Sequence, residues 1–424
     1  MTRSRSSSLA LPALAVAVTF VAAAGTARPS VSTAATGQSS QLTRAVRASA
    51  PANLASAPAA GPSRASSRIA STRSASARLA RAIASFAGQP GGPPGISVLI
   101  QRRNDLMFYR AGTADLAAAT PVLRTDSMRL ASISKALSGA VALVLVGEGR
   151  LRLTDTVGQL LAGMPRAWRR VTLRELLNHT SGIPDFSQTR AFALAIRRSP
   201  LHPPPPRMLL SYAQPRLDFG PGSRFRYSNS DNIIVALMAQ AATGRSYNRE
   251  LRDLVLRPLG LRSTSLPGGV AMAEPVMHGY ALDPPRAPQD VTSAVAAGWA
   301  WASGGIVSTP QEISVFIRAY VRGITTSRAI EAAQFRFRPG DSEPPGPGRN
   351  AAGLAIFRYQ TRCGTVYGHT GNTAGYTQFA AATRSGARSV VVSVNAQFSP
   401  ATNAAGFRRL RHIYALAVCA ALAR

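Results

Sequence analysis

Lysine is almost missing from this chain. Its 49 basic residues are all arginine except Lys135, in the stretch RLASISKALSGAVALVLVGEG. Acid is scarce as well: 18 Asp and Glu leave a formal charge of +31, and none precedes Asp105. The twelve arginines of residues 1–104 are therefore unopposed. Such an excess fits electrostatic association with an anionic cell wall, or simply a solvated arginine-rich surface. There is no zinc-finger spacing, aromatic-interleaved basic helix or RNA-binding signature, so nucleic acid is not an expected partner. Cysteine is limited to Cys363 and Cys419. They are candidates for one disulfide in an exported chain, with two buried thiols as the alternative. No His/Asp/Glu/Cys cluster has metal-ligand spacing, and neither a metal nor a cofactor is expected. Long apolar runs are also lacking. Leu9–Ala24 and the run after His412 fall short of the ~20 residues that span a bilayer, so no transmembrane segment is expected in the mature chain.

What is present is globular composition, 46% apolar over 424 residues, enough for a sizeable core. Arg3 and Arg5, an apolar stretch and an A-x-A pattern at Ala22 and Ala24 read as a signal peptide over 1–27. Residues 28–68, rich in Ala, Ser, Pro and Arg, read as a disordered linker. A folded domain over 69–424, secreted or wall-associated and monomeric, is then expected. A helix from about Ser67 to Ala87 is broken by GQPGGPPG. A hairpin turns at Asn104-Asp105, and helices dominate from Ser134 to about Leu261. Strand-like runs follow, with a turn at 384–386, and a helix closes the chain. Strands at both ends with helices between imply an α+β fold. It is an antiparallel sheet flanked by N- and C-terminal helices, with an inserted helical subdomain at roughly 140–290.

Ser132 lies three residues before Lys135, which on a helix puts both on one face about 5 Å apart at Cβ. A serine hydroxyl needs a base to become a nucleophile. A lysine whose pKa is depressed by burial can serve, whereas arginine stays protonated. Ser-x-x-Lys alone is weak evidence, since serine is common here. Two further stretches strengthen it. FRYSNSDN places Tyr227 and Asn229 before a helical run, as proton shuttle and as orienting amide. VYGHTGNTAGY leads His369, Thr370 and Gly371 into a strand. There Gly371 would let a substrate backbone approach, and His369 and Thr370 would meet a carboxylate or the leaving group.

Ser-x-x-Lys, Tyr-x-Asn and His-Thr-Gly, in this order and spacing, resemble the serine β-lactamase and penicillin-binding family. The branch is the class C-like one that includes secreted D-alanyl-D-alanine carboxypeptidases and family VIII esterases. VTLRELLNHTSGIPDF, LDFGPGSRFRYSNSDN and WASGGIVSTPQEISVF resemble connecting segments of that family, and the likeness covers roughly residues 70–420. It implies a β-lactamase/transpeptidase-like fold and an acyl-enzyme on Ser132, with Lys135 as base and Tyr227 as shuttle. Asn229, His369, Thr370, Gly371 and Asn372 would bind substrate. The backbone N–H groups of Ser132 and Asn372 would form the oxyanion hole, and His179 would be structural. His-Thr-Gly in place of Lys-Thr-Gly favours a carboxypeptidase on peptidoglycan stem peptides over a strong β-lactamase. An esterase or weak β-lactamase acting on small esters or β-lactams is the alternative. A non-catalytic penicillin- or peptidoglycan-binding protein is a third reading, against which an intact Ser132, Lys135 and Tyr227 argue.

Overall fold

The computed structural model describes residues 64–323, 327–401 and 403–423, with side chains from Ser74 onward. The expected signal peptide, and the linker up to residue 63, lie outside the described residues.

One antiparallel sheet of nine strands organises the molecule. In chain order these are β1 (Gly95–Arg102), β2 (Asp105–Asp115), β3 (Thr120–Pro121), β4 (Arg338–Pro339), β5 (Arg349–Ala352), β6 (Phe357–Thr361), β7 (Gly364–Thr373), β8 (Tyr376–Ala382) and β9 (Arg388–Val394). The spatial order is β3-β2-β1-β9-β8-β7-β6-β5-β4, so the two ends of the chain meet where β1 pairs with β9. Val98 faces Val392 across that junction, and Leu99 faces Val391. The expected hairpin forms about Asn104, and Arg384–Gly386 lie in the turn between β8 and β9.

Side chains alternate across a strand, and here both faces are covered. Ile96, Val98, Ile100, Val390, Val392 and Val394 join a core on one face; Leu99, Ala380 and Val391 join a core on the other. That two-sided burial is why the sequence shows apolar runs rather than clean alternation. The first face is covered by helices from the two ends of the chain, α1 (Arg64–Ala87) and, after the last strand, Ala404–Leu422. Leu79, Ile83 and Phe86 of α1 are buried there, each worth about 1.5–3 kcal/mol of burial. Cys363, in the β6–β7 turn, and Cys419, in the C-terminal helix, form a disulfide with Cα atoms 5.1 Å apart.

The opposite face carries the helical layer. Its centre is α2 (Ser134–Gly147), buried at every residue from Ser134 to Leu145, as a helix with apolar residues all round must be. Packed on it is α3 (Asn229–Thr243), and α4 (Pro310–Val321) lies against β8 and β9. The helices run past the expected limit near 290, through α4 and a short helix at Arg328–Gln334. Among the described residues, no helix is long and apolar enough to cross a membrane.

Candidate active site

Ser132 sits in a single tight turn, Ala131–Ile133, that leads straight into α2. Ala131 has φ +48°, a left-handed conformation that costs a non-glycine residue about 1–3 kcal/mol. The turn is held from two sides. Leu130 N donates to Ile306 O at 2.9 Å, and Ile306 N donates to Ser134 Oγ at 3.1 Å. From the sheet, β7 presses Gly371 against it so closely that a Cβ there would lie 2.2 Å from Leu130 O and 3.2 Å from Ser132 N. The expectation that Gly371 admits a substrate backbone is thus corrected. Its missing side chain admits the nucleophile's own turn.

Lys135, on the first turn of α2, is fully buried. Its Nζ lies 3.1 Å from Ser132 Oγ, 2.6 Å from Asn229 Oδ1 and 2.7 Å from Ser303 O. Burial lowers its pKa to about 7, against the opposing pull of Asp185, Glu343 and Asp231. Near neutrality the amine is therefore free to lose a proton. Two of its three directions then still point at fixed acceptors, and the third points at Ser132.

Asn229 is the first residue of α3, and its amide is oriented by Asp185. Asn229 N and Nδ2 both donate to Asp185 Oδ2, at 3.1 and 2.9 Å, while Nδ2 also donates to Ser187 Oγ at 2.9 Å. With Nδ2 so engaged, Oδ1 has to face the lysine. Tyr227 lies under Nζ, with its ring centroid 5.0 Å away. Burial pushes its phenol well above the ordinary value, although the nearby Ser132 hydroxyl pulls the other way. Tyr227 is thus a neutral phenol, not a tyrosinate. His179 packs on its ring at 4.5 Å between centroids, and the His179 imidazole is pinned by Asp231 at 2.9 Å. Burial holds His179 well below its usual pKa, so this pair is scaffold for Tyr227.

A cavity of about 710 Å³ opens on Ser132, lined also by Asp185, Tyr227, Asn229, Ser303, Glu343 and Asn372. His369 and Thr370 do not line it, contrary to their expected contact with substrate. Both are fully buried: His369 Nδ1 lies 2.6 Å from Thr370 O, and Thr370 Oγ1 donates to Pro344 O at 2.6 Å. Burial lowers His369 to a pKa of about 3, which makes it a neutral side chain. β7 pairs with both β6 and β8. Its pairing with β6 ends at Gly368, however, so residues 369–373 are paired on the β8 side alone. That local opening is where Asn372 reaches the cavity.

Sequence reasoning missed Asp185, Ser303 and Glu343 as parts of the site. In a chain with 18 acids, an aspartate in SGIPDF and a glutamate in GDSEPPGPG were the available signals.

The protein-family model described as Beta-lactamase matches residues 79–415. Penicillin-binding protein 4* of Bacillus subtilis is 27% identical over 196 residues, which is 44% of this chain and 42% of that protein. The chain thus matches less than half the length of this curated relative. A D-stereospecific amidohydrolase from Streptomyces sp. is 28% identical, with a TM-score of 0.68 over 76% of this chain and 95% of that one. D-amino acid amidase from Ochrobactrum anthropi shares the fold at 20% identity, with a TM-score of 0.68 over 80% of this chain and 98% of its own.

Proposed function

Because the chain belongs to the beta-lactamase family, we propose that it is an exported serine hydrolase whose acyl-enzyme forms on Ser132 and whose substrates are amides of D-amino acids. The carrying observation is the Lys135 amine, buried, with two hydrogen bonds to Asn229 and Ser303 and its third direction on Ser132 Oγ. In this reading Ser132 Oγ attacks the substrate carbonyl carbon while its proton passes to Nζ. The backbone N–H groups of Ser132 and Asn372 receive the developing oxyanion. Collapse breaks the C–N bond, and the nitrogen leaves as an amine with the proton relayed through Tyr227. Water then attacks the ester, giving a carboxylic acid and restoring the Ser132 hydroxyl.

Two classes of amide fit. D-alanyl-D-alanine peptides of peptidoglycan, cleaved in the manner of a carboxypeptidase, are the reading from the motifs. D-amino-acid amides are the second, favoured by the likeness to the Streptomyces amidohydrolase. The arginine-rich segment before Asp105 supports retention on an anionic wall, a proposal that loses its basis if molar salt fails to release the protein from isolated walls.

The test is to incubate the protein with fluorescent penicillin, a D-Ala-D-Ala peptide, a D-amino-acid amide and a short-chain p-nitrophenyl ester. Wild type should form an adduct that peptide mass spectrometry locates on Ser132, and Ser132→Ala should not. Turnover of an amide by Ser132→Ala at the wild-type rate would end this reading.

A further inference from the structure

The segment Gly340–Pro345 lines the cavity together with Ser132. It is anchored from behind. Thr370 Oγ1 and Ser342 Oγ both donate to Pro344 O, at 2.6 and 3.1 Å, and Tyr359 Oη donates to Ser342 Oγ at 3.0 Å. Between these held neighbours lies Glu343. It is half-buried on the cavity wall, and among the described residues no hydrogen bond or ion pair engages its carboxyl group.

The other charges nearby are already engaged. Asp185 accepts from Asn229 at one oxygen and from Ser187 N and Oγ at the other, at 2.8 and 2.7 Å. Lys135 has its three partners and leaves none for Glu343. Arg226 is paired with Asp218 at 2.7 Å, and Arg224 lies over the Phe219 ring at 4.6 Å. Asp341, also on the cavity wall, adds a second acid. A partly desolvated carboxylate with no donor of its own is stabilised by a cationic ligand that enters the cavity. Burial, then the like charge of Asp185, raises Glu343 to a pKa of about 8; an arriving cation acts in the opposite direction.

We propose that Glu343 is the acceptor for a free ammonium group on the acyl side of the scissile bond, so that the enzyme selects amides whose D-amino-acid acyl group carries an unblocked amine. In a D-amino-acid amide the free amine lies on the acyl side, and Glu343 and Asp341 disfavour a leaving-side carboxylate at their own end of a cavity that Arg224 and Arg226 also line. Of the two amide classes above, the assignment selects the D-amino-acid amides. It rests on the acyl-enzyme reading of Ser132.

The experiment compares kcat/KM for D-phenylalanine p-nitroanilide and its N-acetyl derivative, in wild type, Glu343→Gln and Glu343→Lys. A charge-assisted hydrogen bond predicts that wild type favours the free amine by about 10- to 100-fold. Glu343→Gln should lose most of that ratio and Glu343→Lys should invert it. A wild type that favours the N-acetyl substrate, or a ratio unchanged in Glu343→Gln, overturns the proposal. The wild-type ratio decides even where a variant does not fold. Turnover of the same substrates by Ser132→Ala separates the two levels. Turnover retained in that variant sinks the acyl-enzyme itself, whereas Ser132-dependent turnover without an amine preference sinks the ammonium site alone.

Discussion

Replacing Lys135 by arginine keeps a positive charge in place and removes the ability to release its proton. With a pKa of about 7, the native amine is about half neutral at pH 7. A guanidinium, with a pKa above about 12, is neutral in fewer than one molecule in ~10⁵ at that pH. General-base assistance is worth ~10²–10⁴ in rate, so Lys135→Arg should lower the acylation rate at least ~100-fold. The assay is the burst of p-nitrophenol release, or the rate of penicillin labelling, followed from pH 5 to 9. Wild type should show an acid limb with its midpoint near 7, because the proton-free amine is the active form. The same group makes a claim on stability, and its sign is fixed. Between pH 7 and 10.5 the unfolded chain holds a proton on this amine that the folded chain has released. Its contribution to stability therefore rises with pH across that window, by up to about 1.4 kcal/mol per unit. Lys135→Met should abolish this slope together with acylation. Labelling by Lys135→Arg within tenfold of wild type, or a flat wild-type profile, would refute the base role.

Gly371→Ala should slow acylation by ~100-fold, since its Cβ would displace the Ser132 turn and a shift of about 1 Å at a reacting atom costs that much. Penicillin-labelling rates measure it, and native-like labelling would show that the turn tolerates the methyl group. Asp185→Asn should shift the acid limb of kcat/KM to lower pH, because Asp185 is the largest influence raising the Lys135 pKa; an upward shift would contradict the sign. Opening the Cys363–Cys419 disulfide, which spans 56 residues, should cost about 4 kcal/mol by the chain-entropy relation. Urea unfolding of the Cys363→Ser, Cys419→Ser double variant checks this, and an unchanged midpoint would mean that the C-terminal helix is held by packing alone.

The sheet and its flanking helices were legible because the chain writes them locally. The Asn104-Asp105 turn lies between two apolar runs, and GQPGGPPG stops α1 where the sequence says it should. Lys135 was legible for a different reason: a single lysine among arginines marks a place where arginine's chemistry fails. His369 was misread because strand parity and depth are not local properties. Whether the imidazole faces a cavity or the interior depends on β6, whose pairing stops at Gly368, and on Pro344, which takes the Thr370 hydroxyl.

Gly371 makes the same point about scale. A glycine after His-Thr reads as room for a ligand, yet the backbone it makes room for is Leu130–Ser132, some 240 residues earlier in the chain. The positive φ of Ala131 is tolerable because that contact, and the hydrogen bonds to Ile306, leave the turn no other arrangement. Reactivity at Ser132 is therefore a property of three segments. The first supplies the nucleophile and its base. The second, at 303–306, fixes the lysine and the turn, and the third, β7, closes on them from the sheet. Asp185 belongs to this arrangement although it never reaches the serine. By fixing which end of the Asn229 amide meets Lys135, it decides that the lysine meets an oxygen and not a competing donor. No spacing rule in the sequence encodes that choice, because it exists only once α3 and the SGIPDF loop are packed together.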